Sequence, residues 1–185
     1  MYSHAQQAPD VTAVVADNTT LTYRELVSEA IHLADLLDAE GIKAPEEPVG
    51  ILLGSGLGQI VAQLAVRLVG ATCVPIEPTL PELRIADMFN QVHVRYIIME
   101  KDGPISLSGF RTVHMPPVGQ KAHAALSNWE FRPETDRSHV LFTSGSTGRP
   151  KPVQIRPANI LHLATNTPVT PLLTSDRVAE FNNPG

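Results

Sequence analysis

The sequence contains a single cysteine, Cys73. One thiol cannot close an internal disulfide, so the stapled framework of small secreted domains is excluded and a reducing compartment fits. Aromatic residues are scarce, at 5% with one tryptophan. Trp129 has no aromatic neighbour at stacking intervals, and Phe131 alone makes no platform for single-stranded nucleic acid. Positive charge is short as well: 14 Lys and Arg against 19 Asp and Glu leave a formal net charge of −5. No basic run overrides that balance, which argues against nucleic acid or an anionic membrane as partner. No apolar stretch approaches the roughly 20 residues that span a bilayer, and Met1 to Asp10 lacks the charged and apolar regions of a secretory signal. The expectation is a soluble, cytoplasmic protein. The seven histidines form no H-x-x-x-H pair and have no cysteine at ligand spacing, so no metal site is expected.

What is present suffices for a core: 43% hydrophobic against 18% charged residues, the balance of a globular domain. Val11 to Ala16 reads as a strand, Asp17-Asn18 as a turn and Thr19 to Leu21 as the return. Thr22-Tyr-Arg-Glu25 has capping-box spacing. Tyr23, Leu26, Ala30, Leu33 and Leu37 follow at helical intervals, predicting an amphipathic helix over 22–40 that Gly41 stops. Val49 to Leu53 reads as a buried strand. Gly54-Ser-Gly-Leu-Gly58 then turns into a helix over Gln59 to Val69, apolar around most of its circumference and so expected to be sandwiched. Ala71 to Pro75 is the next strand. Thr79-Leu-Pro-Glu82 opens a capped helix to about Gln91, and Val94 to Met99 is a strand again. This alternation predicts an α/β fold, a parallel sheet covered by helices and joined by right-handed crossovers. Residues 101–134, with four prolines and three glycines, yield only a short strand at Phe110 to His114. Pro157 to Ala164 reads as a helix and Val178 to Phe181 as one more strand. Stopping at a turn with no closing element, the sheet is expected to be incomplete and to leave apolar surface uncovered.

One stretch carries chemistry, Ser138-His-Val-Leu-Phe-Thr-Ser-Gly-Ser-Thr-Gly-Arg-Pro-Lys151. An apolar run, Val140-Leu-Phe142, breaks into six small residues, Thr143 to Gly148, with four hydroxyls and two glycines. Arg149 and Lys151 follow, and Val153-Gln-Ile155 resumes an extended pattern. Small side chains let backbone N–H groups converge on an oxyanion, hydroxyls add donors, and nearby cations neutralise charge. The pattern is not a Walker A loop, since Gly145 and Gly148 are three apart and Pro152 follows Lys151. A flexible Ser/Gly linker is the plain alternative, but a linker does not need apolar strands at both ends. His139 borders the loop and could reach a nucleotide, although a polar residue at a strand start is the commoner role. Gly54-Ser-Gly-Leu-Gly-Gln59 fails the dinucleotide fingerprint at its third glycine and reads as a tight strand-to-helix turn.

Thr143-Ser-Gly-Ser-Thr-Gly-Arg-Pro-Lys151 resembles the signature of the adenylate-forming (AMP-binding) superfamily, which includes acyl-CoA ligases, luciferase-like enzymes and adenylation domains of nonribosomal peptide synthetases. Leu21-Thr-Tyr-Arg-Glu-Leu26 resembles the first core motif of the synthetase adenylation domains. Arg67-Leu-Val-Gly-Ala-Thr-Cys-Val-Pro-Ile-Glu-Pro78, continuing through Pro81 to Arg84, resembles the second. The three occur in the family's order and lean toward the amino-acid-activating members. The family usually has Gly after the lysine, where this chain has Pro152.

The resemblance implies an N-terminal portion of the adenylate-forming fold, with 1–185 a fragment that lacks the C-terminal subdomain. It also implies ATP-dependent activation of a carboxylic acid, chiefly an amino acid, as an acyl-adenylate within a peptide-synthetase-like or acyl-ligase pathway of secondary metabolism. Thr143, Ser144, Gly145, Ser146, Thr147 and Gly148 would bind the ATP phosphates, with Lys151 as the catalytic counter-charge and Arg149 turned to solvent. Mg2+ would come with the nucleotide, without a protein ligand that the sequence identifies. A carrier protein would accept the acyl group. The fragment alone is expected to be inactive. The alternative is a non-catalytic truncated module that binds a phosphate-bearing ligand or a partner protein.

Overall fold

The computed structural model describes residues 2–16, 19–42, 44–103, 105–119, 136–144 and 149–166. The chain opens with a short helix, α1 (Tyr2–Gln7), and with β1 (Thr12–Ala16) and β2 (Thr19–Thr22), which pair antiparallel in a small sheet of their own. The two strands fall within a residue of the expected ones, β1 starting at Thr12 instead of Val11 and β2 running to Thr22 instead of Leu21. The periodicity gave no sign of α1, because six residues make fewer than two turns. Its Ala5 is buried against Val27 and Ile31 of the helix that follows.

That helix, α2 (Tyr23–Ala39), begins with the expected capping box. The Glu25 N–H donates to Thr22 Oγ1 at 3.2 Å and the Thr22 N–H donates to Glu25 Oε2 at 2.8 Å, satisfying two of the orphan donors of a helix start. Its end is fixed by Gly41 at φ +90°, a left-handed conformation that glycine adopts without steric cost. The chain then alternates β3 (Pro48–Leu52), α3 (Leu57–Leu68), β4 (Thr72–Pro75), α4 (Glu82–Gln91), β5 (Tyr96–Met99) and β6 (Arg111–His114). After the break come β7 (His139–Thr143), β8 (Lys151–Ile155) and α5 (Pro157–Thr165). Helix α4 differs from expectation at its start. Its N-cap is Pro81, with no side-chain cap, and the Pro81 carbonyl accepts the N–H groups of Arg84 and Ile85. The fixed φ of proline sets the helix entry instead of a threonine hydroxyl.

The strands β3 to β8 form one sheet in the order β6-β5-β3-β4-β7-β8. All neighbours run parallel except β7 and β8, which are antiparallel. Alternation along the strands divides the apolar residues between two faces. Val49, Ile51, Cys73, Tyr96 and Ile98 join the cluster built with α2 and α3. Leu52, Val74, Ile97, Met99, Val140 and Phe142 join Ile85, Met88 and Phe89 of α4 on the other. No residue of α3 is exposed, as its nearly continuous apolar surface predicted. Gly50 of β3 lies directly under α4, where a Cβ would sit 2.8 Å from the Phe89 ring.

This topology positions the loops. Five parallel strands deliver their carboxyl ends to one edge, and the chain leaves β3 toward one face and β4 toward the other. Open α/β sheets bind ligands in such a crevice, outside the carboxyl ends of the strands. The segment after β7 emerges at that edge.

Candidate functional site

β7 and β8 form a hairpin in the register His139↔Ile155, Val140↔Gln154, Leu141↔Val153, Phe142↔Pro152 and Thr143↔Lys151. The two strands that the sequence placed on either side of the small-residue run are therefore paired with one another. The run is their connection, and its mouth lies between Thr143 and Lys151. Thr143, Ser144 and Lys151 are all exposed there. The Thr143 hydroxyl reaches across toward the Lys151 carbonyl oxygen at 3.5 Å. Gly145, Ser146, Thr147 and Gly148 lie outside the described residues, as do Trp129, Phe131 and the strand expected at 178–181. Among the described residues no ion pair engages the Lys151 ammonium. Pro152 takes its place in β8 without disrupting the hairpin. Among the described strands β8 is at the edge of the sheet, the position where a missing N–H donor is tolerated.

Arg149 is held on the far side of the loop. Its Nη2 donates to Asp87 Oδ1 at 2.9 Å and its Nε to Asp87 Oδ2 at 3.4 Å. Gln91, one turn later on α4, donates from Nε2 to the same Oδ2 at 3.0 Å. The Arg149 hydrogen bond holds the Asp87 carboxyl below its ordinary range, with its charge and the Gln91 bond adding to the effect against some desolvation. Asp87 was not legible as a site residue, because it stands 62 positions from its partner and on a helix face that periodicity marks only as polar.

The foot of β7 is secured by polar contacts at the opposite edge of the sheet. The Arg137 side chain donates from Nε to Thr72 Oγ1 at 3.1 Å and from Nη2 to the Glu46 carbonyl at 2.6 Å. Its backbone N–H donates to Glu46 Oε1 at 2.9 Å. Arg67 Nη1 donates to the carbonyls of Ala71 and Arg137. His139 belongs to this footing. Its Nε2 lies 3.1 Å from Gln63 Oε1 and its Nδ1 3.1 Å from Ser138 Oγ. Four residues of strand, about 13 Å, separate it from Thr143, so a nucleotide seated at the loop is beyond its reach. Burial, reinforced by the Arg67 charge, lowers the His139 pKa to about 4, and the ring is neutral at neutral pH. Cys73 is a core thiol as expected, pushed up to about 12 by burial.

The other glycine-rich turn, after β3, carries no phosphate pattern. Gly56 caps α3 at φ +145° without a side-chain hydrogen bond. Gln59, standing where a dinucleotide fingerprint needs glycine, is completely buried, and neither end of its amide has a hydrogen-bond partner among the described residues. Among the described residues no group of three or more His, Cys, Asp or Glu could hold a metal ion, and no helix is long and apolar enough to cross a membrane. The described part of the site thus offers the hydroxyls of Thr143 and Ser144 and an ammonium that no described residue engages in an ion pair, a donor set suited to an anion such as a polyphosphate.

Comparison with known proteins bears on the family and the fold. The sequence matches the AMP-binding enzyme family over residues 1–181. The nonribosomal peptide synthetase asaC of Aspergillus flavus is 34% identical over 186 residues, covering 98% of this chain and 18% of the relative. The chain therefore spans less than a fifth of that relative's length. The N-terminal subdomain of Klebsiella oxytoca NpsA, solved with 3-hydroxybenzoyl-AMSN, matches with a TM-score of 0.73 and 26% identity, over 92% of this chain and 43% of that one. The nonribosomal peptide synthetase FmoA3 in its AMPPNP-bound form shares the fold, with a TM-score of 0.76 at 23% identity over 88% of this chain and 17% of that one. With a parallel, helix-covered sheet and a hydroxyl-rich hairpin connection at its carboxyl edge, the chain belongs to the AMP-binding enzyme family, corresponding to an N-terminal portion of the adenylation domains found in nonribosomal peptide synthetases.

Proposed function

We propose that this chain supplies the phosphate-handling part of an enzyme that activates a carboxylic acid, chiefly an amino acid, with ATP. The substrate carboxylate attacks the α-phosphorus, the bond to the bridging oxygen of the β-phosphate breaks, and acyl-adenylate and pyrophosphate form. The loop's contribution is electrostatic: preorganised donors hold the polyphosphate in line and stabilise the charge that collects on the leaving pyrophosphate. Thr143 and Ser144 offer hydroxyls at the loop's entry, Gly145 to Gly148 are assigned its backbone and hydroxyl donors, and Lys151 is the counter-charge. Mg2+ would be carried on the phosphate oxygens, the usual arrangement for this ion at nucleotide sites. The observation that supports the reading is that Thr143 and Lys151 close the β7–β8 pairing as exposed residues beyond the carboxyl end of β7, and that among the described residues no ion pair engages the lysine.

Residues 1–185 would be the front of such a unit, with the adenine and acyl pockets and the mobile C-terminal subdomain supplied by sequence corresponding to the unmatched parts of the relatives. A carrier protein is the acyl acceptor that a synthetase-type relative suggests. ATP–pyrophosphate exchange with a panel of amino and carboxylic acids tests this. The expected result is nucleotide binding without exchange by the 185-residue chain alone. Exchange by that chain would overturn the division of labour, and absence of nucleotide binding would overturn the phosphate assignment.

A second reading is favoured by one feature, the apolar side chains exposed around β8 and α5: Val153 at 41%, Ile160 at 45%, Leu161 at 64% and Leu163 at 69%. Isolated exposed apolar residues are ordinary, but a run on one helix and its neighbouring edge strand suits contact with protein. In that reading the chain is a binding module that does not catalyse.

A further inference from the structure

Helix α5 is apolar along one side. Ile160, Leu161 and Leu163 fall within one arc of its circumference, with Asn159, His162 and Thr165 on the opposite arc. A helix of nine residues is too short to persist on its own hydrogen bonds, and is normally held by burying such a stripe. In α5 the stripe is bare: Ile160, Leu161 and Leu163 are all exposed. The strand that leads into the helix shares this condition. Lys151, Pro152, Val153 and Gln154 are exposed in succession, so both faces of β8 are open. Together the two elements present an apolar surface that nothing among the described residues covers.

Charge tells what kind of cover fits. From Arg137 to Ser175 the sequence has four cations, Arg137, Arg149, Lys151 and Arg156, and no carboxylate, while the other ten cations stand among all nineteen carboxylates. Two of the four are engaged elsewhere. Arg137 donates to Thr72 and to the Glu46 carbonyl, and Arg149 pairs with Asp87. Lys151 and Arg156 are left at the two ends of β8, both exposed, and no ion pair engages either among the described residues. In a two-fold dimer through this surface, like charges would face each other. Pro152 within β8 makes the strand a poor template for an added strand. A helix with an apolar stripe of its own and carboxylates along its flanks meets both the apolar side of α5 and the neighbouring cations.

We propose that α5 and β8 form a docking surface for an acidic amphipathic helix of a separate polypeptide. Its apolar side chains would seat on Ile160, Leu161 and Leu163, and its carboxylates would face Lys151 and Arg156. This rests on the protein-contact reading and names the partner's chemistry. It requires neither phosphate binding nor the absence of catalysis.

The test uses the whole 185-residue chain and two synthetic helical peptides with the same leucine stripe, one flanked by glutamates and one by lysines. By fluorescence anisotropy the glutamate peptide should bind at least about tenfold more tightly, with its advantage shrinking as salt rises. Leu161→Ser and Leu163→Ser should each weaken it by about tenfold or more, as central apolar anchors do, and Arg156→Glu by about three- to tenfold. All three side chains are exposed, so the Tm of each variant should match the parent. Amide exchange over residues 157–165 should slow when the glutamate peptide is added. Equal affinity for the two peptides, or a preference for lysines, would leave α5 a contact surface but overturn the acidic partner. Binding of neither, with exchange over 157–165 unchanged, would overturn the docking surface itself. Sedimentation velocity supplies a third arm: self-association that Leu161→Ser abolishes would make the occupant a second copy of the chain, and that too overturns the proposal.

Discussion

Gly50 offers a sharp test of how the two faces of the sheet are packed. An alanine Cβ there would lie 2.8 Å from both Cε1 and Cζ of Phe89 and 3.2 Å from Ile97 Cγ1. The Phe89 ring cannot simply swing aside, because it is completely buried and packs edge-on against Phe110, with centroids 5.8 Å apart. Overpacking of this kind costs about 1–3 kcal/mol. For a chain of this size, ~2 kcal/mol corresponds to a fall in Tm of about 4–8 °C. Phe89→Leu removes the obstructing ring atoms and on its own costs ~1–2 kcal/mol in lost packing. In that background Gly50→Ala should become neutral, or stabilise by up to about 1 kcal/mol through the stiffer unfolded chain. The assay is a double-mutant cycle from urea unfolding followed by circular dichroism, with m-values confirming a common transition. Additivity within about 0.5 kcal/mol, or a Gly50→Ala variant as stable as the parent, would refute the close approach of α4 to β3.

Two further outcomes follow from buried polar groups. The Gln59 amide, without a partner among the described residues, loses its hydration on burial, so Gln59→Met should raise stability by about 1–2 kcal/mol in the same urea assay. A loss of stability instead would mean that the amide has a partner. His139 is held neutral by burial to about pH 4, below its unfolded value near 6.5. The unfolded state therefore binds the extra proton between those values, and folding stability falls as pH drops through the window, by up to about 1.4 kcal/mol per unit. Comparing Tm from pH 7 to pH 4 for the parent and His139→Gln isolates the effect. The parent should decline more steeply, and parallel curves would contradict a neutral, half-buried His139.

Legibility in the sequence followed the range of the interactions. The capping box at Thr22 and Glu25 acts over three residues and was visible outright. So was the alternation from β3 to β5, because each element there buries an apolar pattern of its own period. The hairpin was half visible. Two strands flanked the loop, but their antiparallel pairing, and the place of β8 at the end of the strand order among the described residues, depend on β4 lying beside β7. The start of α4 was misread because a threonine three residues before a glutamate mimics a cap, whereas Pro81 sets the helix entry. Arg149 was expected to face solvent, and it is largely exposed, at 65%. Its grip on Asp87 joins positions too distant for any local pattern to report. His139 was weighed as a nucleotide contact only because it is near the loop in sequence. Strand geometry carries it to the other edge of the sheet.

The measurement closest to the central claim is ATP binding, by calorimetry, to the parent chain and to Lys151→Ala. Lys151 is exposed on an edge strand, so its replacement should leave stability within about 0.5 kcal/mol. Loss of a charged contact to phosphate should nevertheless weaken binding by about tenfold or more, and Lys151→Arg should recover part of it. Equal affinity of Lys151→Ala and parent for ATP would contradict the assignment of the 143–151 connection as the polyphosphate site.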